Sequence, residues 1–360
     1  MEHLIKHIAA HFKTDTEALK LEPIQHGTRQ RHNVCILRFD AEKYLLKQHD
    51  ITISVVDAGH TPSQIEAAVL TLLHDNGCRV PQLIWQSEHH HALLLEWCGE
   101  FTLDALAQRS EKSLQHLKPL LPDILRELSK IEICFATHAA RFAPYVFRFN
   151  AQATLQDLLE RAKKVVGYLS HLSDSPMSAV QTEMLTNAWN GLADRLQNAP
   201  MTLGNLDNNA RNIVIRDASP SFIDFASIGW NWQEMRLVQL LNSIGAFLVS
   251  PSETGRFVSL LDRELVGIYA EWVSTHRETC LPAEIAARVD SHHLLFYLSV
   301  IDQLLRAVAA PETTENRMLL EAWGDAQLRF QSALRHIIDT NLSDDIHTNQ
   351  MREIIASFST

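Results

Sequence analysis

Apolar residues in the first twenty positions recur at helical spacing (Leu4, Ile5, Ile8, Phe12), which predicts an amphipathic helix over residues 1–20. The pattern then shifts to short apolar runs rich in β-branched residues. Leu21–Ile24, Asn33–Phe39 and Lys43–Gln48 are predicted as three strands, broken by Gln25–His32 and by the polar Asp40–Glu42 connection. Helical spacing returns over Gln64–Asn76 (Ile65, Val69, Leu72, Leu73), with Pro62 and Ser63 at its start and Asn76-Gly77 at its stop. Val80–Trp85 and Ala92–Trp97 are predicted as two further strands. From Thr102 onward the pattern is almost wholly helical. The exception is Asn205–Phe225, where Ile213–Ile215 and Phe222–Phe225 flank the polar, proline-containing stretch Arg216–Ser221 and predict a hairpin.

A chain of 360 residues is long enough for two lobes, and its net charge of −11 removes any broad attraction to a nucleic-acid backbone or an anionic membrane. Neither is expected as a partner. No apolar run approaches the ~20 residues of a membrane span, and the amino terminus does not read as a signal peptide. The five cysteines are scattered, odd in number and never in C-x-x-C spacing. They point to free thiols in a reducing cytoplasm.

The hairpin region carries the chemistry. It reads Asn205-Leu206-Asp207-Asn208-Asn209-Ala210-Arg211-Asn212, then a strand, a turn, and Phe222-Ile223-Asp224-Phe225. Phosphoryl transfer from ATP needs a carboxylate to orient a hydroxyl and accept its proton, and oxygen ligands to hold Mg2+ against the phosphates. Asp207 and Asn212 have the D-x-x-x-x-N spacing of a kinase catalytic loop, and Asp224 follows as an apolar-flanked metal ligand. A polar turn with an N-capping Asp is the competing reading of the loop alone. The first hundred residues favour the kinase reading. Lys47 ends a strand, where a lysine would reach the α and β phosphates. Glu66 is the only glutamate on the helix that follows, and so the candidate to hold Lys47 by an ion pair. The Gly27 turn lies where backbone amides would cover phosphate, and Arg29 or Arg31 beside it either touch phosphate or are solvated.

These pieces, in this order, resemble the aminoglycoside phosphotransferase and choline kinase family. The resemblance covers about Leu21 to Arg306 and includes the Gly77-Cys78-Arg79-Val80-Pro81 segment leading into a strand. It implies an α+β, bilobal, protein-kinase-like fold. Residues 1–97 would form a β-rich nucleotide-binding lobe with a leading helix, and 98–360 a helical lobe with the catalytic loop and acceptor site. It implies ATP in the cleft, with backbone groups of Glu96, Trp97 and Cys98 facing the adenine. It also implies Mg2+ on Asn212 and Asp224, and a small-molecule hydroxyl acceptor. Three departures stand out. Asn205 occupies the position where the family usually has a loop-bracing His. Glu234-Met235-Arg236-Leu237-Val238 stands where an acidic residue usually precedes a Leu-Ala pair. The phosphate-covering turn is basic rather than glycine-rich.

Arg211, inside the loop, is a candidate cation for the charge on the transferring phosphoryl. Trp230 and Trp232 are read as core packing ahead of acceptor stacking. His89-His90-His91 lies in a turn, where neighbouring side chains diverge and do not converge on a metal. His292-His293 is read as one buried and one exposed position on a helix. Glu234, Asp262 and Glu264 are available to greet a cationic acceptor. A protein or peptide kinase lacks support because no A-P-E-like segment follows Asp224. A non-catalytic nucleotide-binding scaffold would have no need of base and metal ligands together.

Overall fold

A computed structural model describes residues 2–26, 29–49, 59–109, 117–172, 177–244, 257–277 and 280–358; the side chains of 25–32 and 108–109 fall outside it. The chain opens with helix α1 (Glu2–Phe12), strands β1 (Lys20–His26), β2 (Arg29–Phe39) and β3 (Glu42–Gln48), helix α2 (Pro62–Asp75), and strands β4 (Leu83–Ser87) and β5 (Ala92–Glu96). The five strands make one antiparallel sheet in the order β1-β2-β3-β5-β4. Strand alternation gives this sheet two faces. Leu37, Leu46 and Leu94 pack on Leu4 and Ile8 of α1. Leu45, Leu93 and Leu95 face α2 and the helical body. Lys47 shares the parity of Leu45 and therefore points to the second face.

The first helix ends at Phe12 and not near residue 20. Lys13 takes a left-handed conformation (φ 55°), and the amide of Thr14 bonds the Ala9 carbonyl at 3.0 Å. Thr14 and Asp15 are residues whose side chains compete with helix, and a single 3-10 turn at Thr16–Ala18 leads into β1. Helix α2 begins and ends as its sequence predicts. Thr61 and Gln64 form a reciprocal capping box with Pro62 in the first turn. Gly77 (φ 73°) closes the other end, with Gly77 N bonding His74 O and Cys78 N bonding Leu73 O.

The remainder is largely helical. It comprises β6 (Phe101–Thr102), α3 (Leu103–Arg109), α4 (Leu121–Thr137), α5 (Ala139–Phe142), α6 (Ala151–Leu172) and α7 (Ala179–Gln197). Then come β7 (Thr202–Asn205), β8 (Ile213–Arg216), β9 (Ser219–Phe222) and β10 (Ile228–Asn231). The chain finishes with α8 (Gln233–Asn242), α9 (Arg263–His276), α10 (Pro282–Ala309), α11 (Thr314–Trp323), α12 (Ala326–Asp339) and α13 (Ile346–Ser357). Together with the sheet this is the α+β, two-part fold that the resemblance implies. Helix α10 is the axis of the helical part and packs on α6, α8, α9 and α12. Both His292 and His293 are buried on it, so the expectation of one exposed member fails: α10 is surrounded, and both of its histidine faces meet other helices. Among the described residues no helix is long and apolar enough to cross a membrane.

The hairpin is tighter than predicted. Its strands are β8 and β9, joined by Asp217 and Ala218, both at positive φ (51° and 63°), as a two-residue type I′ turn requires. Pro220 therefore lies within β9. It is tolerated because β9 is the edge of a three-stranded sheet in the order β6-β8-β9. Phe222 ends the strand, so Asp224 stands beyond it. Strands β6, β7 and β10 are two to four residues long, too short for a period to register in the sequence.

A buried ion pair fastens β7 from below. The fully buried guanidinium of Arg236 donates to both Glu132 oxygens (2.7 Å from Nε) and to the Thr202 carbonyl and hydroxyl (3.2 and 2.6 Å). It lies so close to Gly204 that a Cβ there would sit 2.6 Å from Cζ. Removing one partner of a buried pair strands the other charge. Glu132→Ala is expected to lower stability by about 3–5 kcal/mol in urea unfolding, and adding Arg236→Met should recover part of the loss. A loss below about 1 kcal/mol for the single variant would refute this account.

Candidate active site

One ammonium joins three distant parts of the chain. Lys47 Nζ lies 2.9 Å from Glu66 Oε1, 2.8 Å from Glu66 Oε2 and 2.7 Å from Asp224 Oδ1. The helical period turns Glu66 inward with Ile65, Val69, Leu70 and Leu73, and its side chain is 1 % exposed. Burial works against the Lys47 charge, but Coulombic attraction, first to Glu66 and then to Asp224, outweighs it and pushes Lys47 up to about 12. For Glu66, burial favours the neutral acid. Lys47 and His49 outweigh that, and the carboxyl is lowered to about 2.

His49 is the member that sequence reasoning missed. Its Nε2 donates to Glu66 Oε2 at 2.6 Å, and its backbone N–H bonds the His91 carbonyl at 2.8 Å. The available signal was strand parity: positions 47 and 49 of one extended segment project to the same side, toward the same carboxylate.

Asp224 reaches Lys47 through an unusual backbone. It has φ 66°, a conformation rare outside glycine that Asp tolerates better than most residues. The side-chain amide of Asn205 holds this bend by donating to the Asp224 carbonyl at 3.1 Å. The same Asn205 accepts from the Asp207 amide at 3.2 Å through Oδ1, and its Nδ2 lies 3.4 Å from the Asp207 carbonyl. One side-chain amide thus ties the loop to the segment after the hairpin, a bracing role that an imidazole also fills with its two ring nitrogens. Asn208, buried, donates to the Asn205 carbonyl at 2.5 Å.

The exposed carboxylate of Asp207 is oriented by two amides. Asn209 Nδ2 donates to Oδ1 at 2.8 Å, and Asn212 Nδ2 to Oδ2 at 3.2 Å and to the Asp207 carbonyl at 2.9 Å. Ile223 N bonds the Asn212 carbonyl at 2.9 Å, which sets Asn212 beside the residue preceding Asp224. With Nδ2 of Asn212 committed to Asp207, its Oδ1 is directed away from that carboxylate. The Asn212 amide oxygen and the Asp224 carboxylate are hard oxygen donors of the kind Mg2+ takes when phosphate and water complete its shell. Among the described residues no group of three or more His, Cys, Asp or Glu is placed to hold a metal ion, the His89–His91 turn included.

Glu96 closes β5. Its amide bonds the Gln82 carbonyl at 2.9 Å, while Arg216 of β8 donates to the Trp97 carbonyl at 2.9 Å. The segment Glu96–Cys98 is thereby tied to the hairpin. Arg211 is half-buried in the loop, its amide capped by Asn209 Oδ1 at 3.0 Å. Gly27 lies outside the described residues, as do the side chains of Arg29 and Arg31. Glu234 is fully buried against Arg288 (3.3 Å), and Asp262 caps α9 through the Leu265 amide while pairing with Lys118 at 3.1 Å; both serve the scaffold. Trp230, on β10, is 48 % exposed, whereas Trp232, past the end of that strand at the N-cap of α8, is core.

No family model and no curated protein matches this sequence. Solved structures do match in fold. Choline kinase from Cryptosporidium parvum Iowa II is 14 % identical, with 93 % of this chain and 94 % of that chain covered and a TM-score of 0.52. Macrolide 2'-phosphotransferase from Brachybacterium faecium is 12 % identical, with 90 % and 98 % covered and a TM-score of 0.51. An amicoumacin kinase in complex with AMP-PNP and Ca2+ is 12 % identical, with 96 % of both chains covered and a TM-score of 0.50. At these identities the likeness is one of fold, and it is the fold that the sequence resemblance implies.

The lowered carboxyl of Glu66 makes the site a contributor to acid stability. Its contribution is present above the unfolded carboxyl value near 4.5 and is lost as pH falls through about 2. Glu66→Gln is therefore expected to be less stable than wild type at pH 6, by on the order of 3 kcal/mol. The gap should close between pH 5 and pH 2 in denaturant titrations. A gap that stays constant over that range would rule out the linkage.

Proposed function

We propose that the protein is an ATP-dependent phosphotransferase that moves the γ-phosphate to a hydroxyl of a small molecule. The observation that carries this reading is the Lys47 ammonium held between Glu66 of α2 and Asp224, with Asn212 and Asp207 on the adjoining loop. Residues 1–97 act as the nucleotide-binding lobe and 98–360 as the lobe that carries the loop and receives the acceptor.

Lys47 is kept charged and aimed by Glu66, itself steadied by His49, and binds the α and β phosphates. The backbone of Glu96–Cys98, tied to β8 by Arg216, receives the adenine. Asn212 and Asp224 would hold Mg2+, which when bound neutralises charge on the β and γ phosphates. Asp207, oriented by Asn209 and Asn212, accepts the proton of the acceptor hydroxyl as its oxygen attacks phosphorus. Arg211 adds positive charge at the loop. Chemistry of this kind asks the protein for positioning and charge stabilisation more than for covalent participation. Asn205 supports an enzyme over a non-catalytic scaffold, because its amide joins Asp207 to Asp224 as a working loop requires.

ATP with Mg2+ should stabilise the wild type by about 2.7 kcal/mol at a hundredfold excess over the dissociation constant, read as a rise in Tm. Asp224→Ala should lose the Mg2+-dependent part. Absence of any nucleotide-dependent shift in the wild type would overturn the proposal. Asp207→Ala should retain nucleotide binding and lose about 10²–10⁴-fold in transfer rate; a variant within about twofold of wild type would remove Asp207 from the role of base.

A further inference from the structure

The turn that leads from α2 to β4 is clasped by one face of α4. Glu127, Lys130 and Cys134 recur at three- and four-residue spacing along that helix and share the face. Lys130 Nζ donates to the Gly77 carbonyl. Glu127, buried, accepts from the Arg79 amide at 2.6 Å, and its second oxygen lies 3.7 Å from Arg79 Nε. From another side, Phe222 N of β9 bonds the Arg79 carbonyl at 2.9 Å. Between the two clasped residues sits Cys78. Its thiol hydrogen-bonds that of Cys134, and both are buried. Two of the five cysteines are thus brought together from distant parts of the chain.

Buried cysteines in apolar surroundings are ordinarily inert. This pair differs in the charges around it. The hydrogen bond from Cys78 is the largest cause that holds Cys134 below the ordinary thiol value. Arg141 and Lys130 act in the same direction, against the cost of burial. The same bond, and then burial, pushes Cys78 up. The two sulfurs therefore have unequal roles, with Cys134 the nucleophile and Cys78 the neighbour that keeps its proton. Lys130 and Arg141 are both exposed, so the pair lies under a surface that carries two cations.

We propose that Cys78 and Cys134 form a reversible dithiol–disulfide site, closed by a peroxide, that locks the α2–β4 turn onto α4. The Cys134 thiolate attacks one peroxide oxygen. An S–O bond forms, the O–O bond breaks and hydroxide leaves, which yields a sulfenic acid. The Cys78 sulfur then attacks the sulfenic sulfur. The S–S bond forms, the S–O bond breaks, and the oxygen leaves as water with the Cys78 proton. Two electrons pass from the sulfur pair to the peroxide, and a thiol reductant returns them. The sulfurs are already in contact, so a short approach remains to the ~2.05 Å of a disulfide. The turn follows the helix that carries Glu66 and bonds the strand that leads to Asp224. The cross-link thus fastens the supports of both carboxylates that hold Lys47.

The test uses the full chain, reduced and then exposed to a small excess of hydrogen peroxide, followed by alkylation and peptide mapping. A peptide cross-linked between Cys78 and Cys134 is expected, and dithiothreitol should remove it. The cross-link closes a loop of roughly 57 residues, so the oxidised wild type should melt about 5 °C above the reduced form. Cys78→Ala should leave Cys134 as a sulfenic acid that dimedone traps. Cys134→Ala should leave Cys78 unmodified under the same exposure, and both variants should lose the rise in Tm. Several results would overturn the proposal: no such peptide from the folded wild type, its formation only in urea, disulfides of Cys35, Cys98 or Cys280 in its place, or no rise in Tm on oxidation. Mapping and melting of the wild type carry the test by themselves if either variant fails to fold.

Discussion

The Lys47 charge organises the site because a buried ammonium cannot stand alone. In the face of the sheet that meets α2, desolvation by itself would favour the neutral amine. It remains charged because two carboxylates close on it, Glu66 from nineteen residues downstream and Asp224 from 177 residues downstream. Each arrival imposes a condition. Glu66 must face inward, which fixes the rotation of α2 and calls for its capping box and glycine stop. Asp224 must leave β9 and turn back, which calls for the left-handed backbone at that residue. Sheet, helix and hairpin are thus held in one arrangement by a single unit of charge.

The loop next to that charge is built from amides. Asn205, Asn209 and Asn212 hold the backbone and carboxylate of Asp207, and Asn208 holds the Asn205 carbonyl, with hydrogen bonds that carry no net charge of their own. This is a consistent choice beside two carboxylates, since a further anion would compete with them for Lys47. Beneath the loop the pattern changes to a fully buried cation. Arg236 stands in the stretch where the resembling family often has an acid, and Glu132 of α4 provides the carboxylate from the other side. The two partners of this pair sit on different helices, and Gly204 leaves the space for it.

The chain as a whole is acidic, yet the hollow between the start of α6 and the β7–β10 pair is lined by one cation, two exposed rings and no carboxylate. Net charge governs solubility and long-range encounter, whereas a ligand in a cavity responds to groups within a few ångströms, where screening is weakest. That is why Glu234, Asp262 and Glu264, acidic and well placed along the chain, say little about the acceptor: the first is sealed in the core, and the second caps a helix.

Much of the small sheet was legible because its signals are local. Alternation marked the strands, and Thr61 to Gly77 carried both ends of α2. The pairing of Lys47 with Glu66 was legible too, since a strand-borne lysine and the only glutamate on the next helix leave few choices. The D-x-x-x-x-N loop and Asp224 could be read from spacing alone. Their mutual geometry could not, because the bend at Asp224 is held by Asn205 across nineteen residues. The hairpin was placed too long because a type I′ turn of Asp217-Ala218 lacks the usual glycine, and a proline in a strand reads as a break until that strand proves to be an edge. His49 and the exposure of Trp230 were left to the tertiary structure. Each depends on which segments meet, and residues brought together by packing leave no period in the sequence.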